Sequence, residues 1–481
     1  MAMPETQPDF TRRDALKLAG ASAAVAAGTS KLVEGAPWIQ KVKAANDTVQ
    51  YGIIGVGSRG WYHTKHLKNI DSGRCTALCD VDQSHLDRAA ETIGTNPAKF
   101  KDYRELLDRK DVDAVLIATP LFLHFPITRD SLMAGKHTFC EKSMVFKPEE
   151  VHALRALAKE HSKQILQVGL QRRYSRFYQA VKDMVDKGIL GDVTHMQAQW
   201  HRNPGWKMTP YNNPAEQKLK NWRLYKEYSA GMAGELASHQ VDVADWMFGS
   251  APESVVGVGD QSFIFDGRDI MDNIQMIYKY PARADGKGSK KFSCSYISTN
   301  SHLPYFNSTR TEFGELIMGT AGSVEITVGD DNNPALATWF REPTPPPTVT
   351  KAGAVKENYV AGATMVAAGS QKGVPILLEK DANHSNDSFL TSEMKYARRY
   401  LYSKGVLVPE EGRNPVDIQF DRFFECVKSG AKPTADVEVG LADSTAVILS
   451  NMAMEQDRKV YFNEMDKLGK GSDSKANAKK A

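Results

Sequence analysis

Short apolar runs alternate with helix-forming segments between residues 46 and 170. Runs of this kind, rich in β-branched side chains and without polar alternation, are typical of strands buried on both faces of a parallel sheet. The strands predicted from them are 48–54, 76–79, 114–118, 137–140 and 165–169. The helices predicted between them are one from about residue 61, then 83–93, 103–107, 126–134 and 148–161. This alternation predicts an α/β domain with a parallel sheet covered on both faces.

The pattern changes after Gly169, where long β-rich or alternating runs follow helix-forming segments. The predicted helices are 175–187 and 234–247, and the β-rich runs are 193–201, 254–258, 273–280, 291–298 and 315–327. Runs of this kind predict an open, mainly antiparallel sheet, and hence a second domain of α+β type over residues 171–460. The Pro-rich and Gly/Ala-rich stretch 343–370 is predicted to be a loop. Two helices, 416–429 and 441–458, close the domain.

The two terminal segments lie outside these domains. Arg12 and Arg13 precede a small-residue, weakly apolar run from Leu18 to Thr29, which is the pattern of a twin-arginine export signal. A disordered basic N-terminus is the alternative. We assign residues 1–45 to signal and linker, and expect a periplasmic or otherwise exported protein. The tail 461–481 is rich in Lys and poor in large apolar residues, so we expect it to be disordered.

Composition narrows the class of protein. The chain of 481 residues is long enough for two hydrophobic cores, and 41% hydrophobic and 25% charged residues are ordinary for a globular protein. The net charge of +3 is spread along the chain without a basic groove interleaved with aromatic residues, so we exclude nucleic-acid binding. No apolar run has the length of a membrane span.

A dinucleotide motif lies between the first predicted strand and the first helix. Gly55, Gly57 and Gly60 have the G-x-G-x-x-G spacing, in which the glycines permit a tight turn, approach of a pyrophosphate, and close packing of helix on strand. Asp80 follows 20 residues after Gly60, where a carboxylate can accept hydrogen bonds from the ribose hydroxyls of NAD. A purely structural turn is the alternative, and the flanking strand, the helix and Asp80 together favour the dinucleotide site.

The same loop bears on the choice between NAD and NADP. The Asp80 carboxylate would repel a 2′-phosphate, so the sequence favours NAD as the cofactor. Arg59, next to Ser58 inside the loop, is the residue that could reverse this preference and admit NADP. We count Ser58 and Arg59 with the three glycines as cofactor-binding residues.

The segment Ala134–Lys142, AGKHTFCEK, resembles the AGKHVxxEKP motif of the Gfo/Idh/MocA oxidoreductases, the glucose–fructose oxidoreductase and inositol dehydrogenase family. The resemblance covers about residues 48–460, with the glycine turn, an Ala-Thr-Pro strand end, Glu-Lys and a distal Glu/His/Asp cluster in the family's order. It implies a Rossmann domain and a second domain whose large open sheet often mediates dimers or tetramers. It also implies hydride transfer to or from a sugar-like substrate, and a homodimer or homotetramer.

The resemblance places Lys142 at the family's catalytic and cofactor-contacting lysine. An ammonium group at the end of a parallel strand can polarise a carbonyl and bind a ribose or sugar hydroxyl. Glu141 is expected to orient it. The family usually has Pro after this lysine, whereas this chain has Ser143. By likeness to the family's P-N-x-x-H strand end, we also place Thr119, Pro120 and His124 at the cofactor. Leu121 stands where the family has Asn, so we place only the backbone of this segment near the nicotinamide.

A second cluster, Glu235, His239 and Asp242, occupies one face of a predicted helix, because the residues are spaced four and three apart. Family members carry Asp-x-x-x-His here, which implies that His239 is the general base or acid on the substrate hydroxyl and that Glu235 orients it. Histidine suits proton transfer near neutral pH. A core histidine in a capped helix is the alternative. Metal ligation by the three side chains is possible, but we expect no metal because the family chemistry needs none.

Several further residues are candidates for substrate binding. Arg172 and Arg173 follow the last strand of the first domain, where the family places substrate-contacting side chains, and surface arginines are the alternative. Trp222 and Tyr225 could stack on a sugar and bind its hydroxyls, although core packing explains Trp222 equally well. Asp242 completes the set.

Three functions are compatible with these residues. The first is an NAD(P)-dependent oxidoreductase that acts on a sugar or polyol and holds its cofactor tightly, since an exported protein has no pool of NAD to exchange with. The second is an NAD-dependent glycosidase, in which transient oxidation of a sugar carbon permits elimination and the hydride then returns. The third is a non-catalytic sugar-binding protein of the same fold, against which Lys142 and His239 argue.

Overall fold

We describe the fold from a computed structural model. The residues that the structure describes are 48–201, 206–208, 213–282, 292–300, 313–327, 336–341, 356–358, 363–365, 373–378, 397–406 and 413–468. The predicted export signal (1–45) and residues 469–481 of the predicted tail lie outside the described residues, so both stay predictions. The start of that tail is not disordered, because Tyr461 pairs with Ser254 in the second sheet and Phe462–Asp466 forms a 3-10 helix. None of the described helices is long and apolar enough to cross a membrane.

The first half of the chain forms a six-stranded sheet in which every pair of neighbouring strands is parallel. The strands are β1 (Val49–Ile54), β2 (Gly73–Cys79), β3 (Ala98–Phe100), β4 (Ala114–Ile117), β5 (His137–Cys140) and β6 (Leu166–Val168). Their order is β3-β2-β1-β4-β5-β6. The order reverses between β1 and β4, and the crevice at such a reversal is where doubly wound sheets bind ligands. The predicted parallel sheet is confirmed, with β3 as an added edge strand.

Helices connect these strands and cover the sheet. They are α1 (Ser58–Leu67), α2 (Gln83–Ile93), α3 (Tyr103–Leu107), α4 (His124–Met133) and α5 (Pro148–Glu160). Asp82 and Asp102 cap α2 and α3 by accepting hydrogen bonds from backbone N–H groups of the first turn. Pro148 opens α5, where its missing N–H and fixed φ are tolerated. These local signals explain why the sequence located the helices well.

The second half forms a nine-stranded mixed sheet with the order β16-β13-β12-β11-β7-β10-β9-β8-β17. Its strands are β7 (Val193–His201), β8 (Ser254–Asp260), β9 (Asn273–Pro281), β10 (Phe292–Asn300), β11 (Phe313–Gly319), β12 (Gly322–Thr327), β13 (Leu336–Arg341), β16 (Val374–Leu378) and β17 (Val460–Tyr461). Only β7 and β10 pair in parallel, so the prediction of a mainly antiparallel sheet is confirmed.

Two details of the predicted second sheet are wrong. The single run predicted over 315–327 is a hairpin, β11 and β12, joined by the turn at Thr320 and Ala321. The stretch 343–370 is not all loop, because it contains two short strands that pair only with each other. These are β14 (Lys356–Asn358) and β15 (Ala363–Met365).

The helices of the second half are α6 (Arg176–Asp186), α7 (Pro214–Lys220), α8 (Ser238–Phe248), α9 (Pro415–Ser429) and α10 (Val437–Glu455). The last two return to the first sheet. On α9, the ring of Phe424 stacks on Tyr51 of β1 with centroids 5.1 Å apart. On α10, Gly440 leaves so little room that an added Cβ would lie 2.3 Å from the Met144 sulfur. Residues 46–481 therefore form one compact unit, and the predicted boundary at residue 170 separates two sheets.

Candidate active site

The glycine loop lies between β1 and α1 at the switch point of the sheet. Gly55 has φ +85°, and an added Cβ would lie 2.8 Å from the Thr119 backbone nitrogen. A Cβ on Gly60 would lie 1.9 Å from the Gly55 carbonyl oxygen, so only glycine lets α1 pack against the strand end. A Cβ on Gly57 would meet only the His85 ring, at 3.7 Å, which leaves the space before the loop open.

The N-terminus of α1 suits a pyrophosphate. Gly57 is its N-cap and no side chain caps it, and no acidic residue lies in its first turn. Free N–H groups and the helix dipole then point towards the open space. The glycine cradle and this helix end fit the diphosphate of a dinucleotide. Ser58 is the exposed first residue of the helix.

Asp80 follows β2 and holds the other side of the loop. Its Oδ2 accepts a hydrogen bond from the Val56 backbone N–H (2.9 Å), and its Oδ1 accepts one from the Asp82 backbone N–H (2.9 Å). A carboxylate has further acceptor capacity for ribose hydroxyls. Arg59 turns away from Asp80, because its Nε donates to Glu141 Oε1 (2.8 Å) and its Nη2 donates to Gln171 (3.3 Å). Arg59 is thus engaged elsewhere and does not serve a 2′-phosphate, so these residues fit NAD.

Glu141 is the centre of a buried charge cluster beside Lys142. It accepts hydrogen bonds from Arg59 and from His63 Nε2 (2.7 Å), and its Oε2 accepts one from the Lys142 backbone N–H (3.2 Å). Burial opposes ionisation, but Arg59 and His63 outweigh it and hold the pKa of the Glu141 carboxyl well below its usual range. Burial and Arg59 lower the pKa of His63 to about 4. Glu141 therefore connects the cofactor helix to the lysine loop, as its predicted orienting role requires.

Thr119 and Pro120 follow β4 and lie against the glycine loop, since the Thr119 nitrogen is the atom nearest to the Gly55 Cβ position. The His124 ring is held by backbone carbonyl groups. Its Nδ1 lies 2.7 Å from the Ser143 carbonyl oxygen and its Nε2 lies 3.0 Å from the Thr119 carbonyl oxygen. A neutral imidazole has one N–H and donates to one of these carbonyls, so His124 joins the two strand ends, and its contact with the cofactor stays a prediction.

Lys142 reaches from the first half of the chain to the second. Its Nζ donates hydrogen bonds to the carbonyl oxygens of Gly234 (3.0 Å) and Glu235 (2.8 Å). An ammonium group has three donors, so one is left for a ligand. The Lys142–Ser143 peptide bond is cis.

His239 lies at the start of α8 and is 5% exposed, with its Nδ1 buried and without a hydrogen-bond partner among the described residues. Its ring packs on Trp200 of β7 at a centroid distance of 5.5 Å. Burial, and then the positive charges of Lys142, Arg172 and Arg59, lower its pKa well below 6.5. His239 is therefore a neutral imidazole at neutral pH and can accept a proton.

The structure changes the predicted roles of Glu235 and Asp242. The predicted regular helix over 234–247 is wrong at its start, because Ala233–Ala237 is π-helical. Glu235 accepts a hydrogen bond from Arg223 Nε (2.9 Å) instead of orienting His239. Asp242 Oδ1 accepts one from Arg173 Nε (2.7 Å), and burial raises the Asp242 pKa although Arg173 opposes the rise. The three side chains thus diverge to different partners, and no metal site is indicated among the described residues.

The two arginines are both buried and both paired. Arg173 pairs with Asp242, and Arg172 pairs with Glu315 of β11. The Tyr178 hydroxyl also donates to Glu315, at 2.6 Å, and the Arg172 guanidinium lies 5.5 Å from the Trp200 ring centroid. Arg172 therefore reaches the wall of the His239 pocket. The surface-arginine alternative is wrong.

Glu315 was missed by the sequence reasoning, although a signal existed. It shares the buried face of β11 with Ile317, two residues on, and a carboxylate in that inward position needs a buried cation. Asp443 of α10 was also missed. It is 1% exposed and neither carboxyl oxygen has a hydrogen-bond partner among the described residues. Burial and Asp242 raise the Asp443 pKa well above 3.8, against the opposing charge of Lys142.

Trp222 and Tyr225 lie beside the site on a segment that precedes the π-helix. Trp222 is half-buried, packs against the main core and lies 4.4 Å from the Arg223 guanidinium. The Tyr225 ring lies 5.4 Å from Lys218 Nζ. Trp222 thus contacts the arginine that binds Glu235, and the contact of Trp222 and Tyr225 with substrate stays a prediction.

Known proteins agree with this architecture. Two models of one family match the chain, the NAD-binding Rossmann domain of the Gfo/Idh/MocA oxidoreductases over residues 49–170 and the Gfo/Idh/MocA C-terminal domain over 178–325. A levoglucosan dehydrogenase solved with NADH and levoglucosan has a TM-score of 0.62 at 16% identity, over 86% of this chain and 99% of that one. At that identity the likeness concerns the fold alone.

Two curated relatives come from Shewanella. Glycosyl hydrolase family 109 protein 2 of Shewanella sp. (strain ANA-3) is 33% identical over 246 residues, which is 47% of this chain and 52% of that protein. The alpha-N-acetylgalactosaminidase of Shewanella oneidensis is 32% identical over 187 residues, 37% of this chain and 40% of that protein. The chain thus matches about half the length of these relatives or less. By its family models, its fold and its glycine loop, the chain belongs to the Gfo/Idh/MocA oxidoreductase family and has that family's NAD-binding domain.

Proposed function

We propose that this protein is an NAD-dependent enzyme that removes hydride from a hydroxyl-bearing carbon of a sugar or polyol. The observation that carries the proposal is that Lys142, which follows strand β5 of the NAD-binding sheet, reaches the segment that leads into the helix carrying His239. Lys142 reaches the Gly234 and Glu235 carbonyls directly before the helix that carries His239, and its charge is among those that lower the His239 pKa. A base and a cation thus meet where the dinucleotide fold presents its reactive end.

Each residue has a defined part in this proposal. When bound, the nicotinamide supplies the hydride acceptor. Neutral His239 takes the proton of the substrate hydroxyl, and the free donor of the Lys142 ammonium hydrogen-bonds the oxygen as negative charge develops. Glu141 fixes the backbone of Lys142, and Arg223 holds Glu235 so that its carbonyl receives the lysine. Trp200 covers the imidazole and excludes water from it.

A redox-neutral glycosidase is the second candidate. The names of the Shewanella relatives favour it, and in this reaction the same oxidation acidifies the neighbouring carbon, elimination releases the aglycone, and the hydride returns. Lys142 and His239 would serve the first step in the same way. The export signal, which stays a prediction, fits either reaction, because a retained cofactor needs no external pool.

A substrate panel separates these candidates. Purified protein is incubated with glucose, myo-inositol, levoglucosan and p-nitrophenyl α-N-acetylgalactosaminide, and both reduced-nicotinamide absorbance and nitrophenol release are followed. Accumulation or transfer of reducing equivalents supports the dehydrogenase. Nitrophenol release without net reduced cofactor supports the glycosidase, and binding of a sugar without either signal supports the non-catalytic alternative.

A further inference from the structure

The segment 213–228, which we call the clasp, belongs to the second half of the chain but contacts the first half at two places. In its middle, Lys220 Nζ lies 3.6 Å from Asp82 Oδ2. At its end, the Tyr228 ring lies 4.8 Å from the Phe122 ring, centroid to centroid. Asp82 follows the end of β2, and Phe122 follows the end of β4.

These two contacts bracket the cofactor crevice. In the sheet order, β1 lies between β2 and β4, and the glycine loop follows β1. Asp82 is two residues beyond Asp80, on the side of the adenosine ribose, and Phe122 is two residues beyond Pro120, on the side of Lys142. A segment that contacts both strand ends has to pass across the opening between them.

The clasp is held firmly from its other side. Leu224 and Asn221, 1% and 3% exposed, anchor it in the second half. The Leu224 carbonyl accepts a hydrogen bond from the Asp269 backbone N–H (3.1 Å), and the Asp269 carboxylate accepts one from the Lys226 backbone N–H (2.7 Å). Arg223 joins the clasp to Glu235 of the π-helix. The clasp is therefore fixed to the second half of the chain by buried side chains and hydrogen bonds.

We propose that the clasp encloses the bound dinucleotide and slows both its binding and its release, with Lys220 and Tyr228 as the fastening residues. The proposal rests on NAD binding and is independent of the sugar chemistry. The Lys220–Asp82 pair is about one-third exposed, so it alone contributes little, on the order of twofold to fivefold in rate. The Phe122–Tyr228 aromatic pair contributes on a similar scale, so the two contacts together are expected to slow each rate roughly tenfold.

The test measures cofactor kinetics and not turnover. Release is followed by chasing bound NADH with excess NAD⁺, and binding by mixing charcoal-treated protein with NADH, both by cofactor fluorescence. In the double variant Lys220→Ala/Tyr228→Leu we expect both rate constants to rise about tenfold. The dissociation constant is then changed by less than about threefold, because a barrier removed for release is also removed for binding.

Two further variants of the clasp serve as controls. Lys226 belongs to the same clasp but pairs with Glu455 of α10 (2.6 Å) and not with a residue of the first half. We therefore expect Lys226→Ala to leave both rate constants unchanged. Tyr228→Phe keeps the ring and retains wild-type rates, and thermal unfolding without cofactor confirms that each variant is folded. Unchanged rates in the double variant would overturn the proposal. Faster release with unchanged binding would also overturn it, because it would show direct contacts with the cofactor instead of enclosure.

Discussion

The surroundings of Glu141 and of His239 differ in how their charged side chains are paired. Around Glu141, each buried charge has a partner, Arg59 on one oxygen and His63 beside it, and the Glu141 pKa is depressed. Around His239, buried groups are left over, namely the imidazole Nδ1, one oxygen of Asp242 and both oxygens of Asp443. Their pKa values are shifted towards the uncharged forms.

Paired charges, as around Glu141, are typical of a structural framework, whereas unpaired buried groups, as around His239, are typical of a reaction site. Buried unpaired polar groups are costly and rare, and they cluster where ligands or proton transfers use them. The paired cluster fixes the loop that carries Lys142, while the unpaired groups lie on the side of His239, the proposed base. Replacements on the two sides should therefore behave differently, and four experiments test this.

The largest effect on stability is expected for Glu141→Gln. The variant removes the negative charge beside Arg59 and His63 and leaves the Arg59 guanidinium, which is 30% exposed, without its charged partner, so we expect a loss of about 1–3 kcal/mol in the free energy of unfolding. Chemical denaturation measures the change. As a control, Glu438→Gln removes a carboxylate whose pair with Arg155 is solvent-exposed and should have little effect. Equal stability of wild type and Glu141→Gln would show that the cluster is not structural.

His239→Ala should leave the fold and NAD binding intact but reduce turnover on the order of a hundredfold or more, because the base is lost. Stopped-flow single-turnover rates and NAD titration separate the two effects. His195→Ala on β7 removes another partly buried histidine and should retain activity. Because the His239 pKa lies below 6.5, the wild-type rate should also hold at pH values under 6.5 and fall only when the imidazole becomes protonated. Near-normal turnover in His239→Ala would contradict the proposed base.

Gly57→Ala tests the open side of the glycine loop. The added methyl meets only the His85 ring, at 3.7 Å, so the melting temperature should not change. The methyl occupies the space that we assign to the pyrophosphate, so NAD affinity should fall about tenfold or more, equivalent to about 1.4 kcal/mol. Isothermal titration with NAD checks this. Undiminished affinity would place the pyrophosphate elsewhere.

Asp443→Asn should be neutral or stabilising, by about 1 kcal/mol at pH 7. The pKa of the folded carboxyl is raised above its unfolded value, so the unfolded chain loses its proton first and stability declines as the pH rises above 3.8. The amide removes that penalty, and the gain should shrink as the pH is lowered towards 3.8. Melting curves from pH 4 to 8 test the trend, and a strong loss of stability at neutral pH would mean that Asp443 is ionised and paired.

The same contrast explains how far the sequence could be interpreted. In the cofactor half, the parallel strands and the glycine loop depend on local features of the sequence, and the predicted NAD-binding domain is confirmed. The role of Lys142 stays a prediction. The contacts of the His124 ring could not be predicted, because the Thr119 and Ser143 carbonyls come together only when β4 and β5 lie side by side.

In the substrate half, the decisive contacts join distant parts of the chain. Arg172 and Glu315 are 143 residues apart, so their pairing could not be deduced from either segment alone. The π-helical turn at Ala233–Ala237 has helix-forming residues with no marker of its register. The hairpin of β11 and β12 did have a marker that was overlooked, because Gly319 and Gly322 flank its turn and each leaves no room for a Cβ.

The central claim is that a sugar carbon and the bound nicotinamide exchange hydride between Lys142 and His239. Its most direct test uses the panel sugar that is turned over fastest, with deuterium at its carbon-bound positions. The labelled sugar reacts in a single turnover, which is quenched with acid-free solvent. Mass spectrometry of the released cofactor should show one deuterium in the reduced nicotinamide, and this label should be strongly reduced in His239→Ala. Turnover of the deuterated sugar without label ever reaching the cofactor would contradict the account.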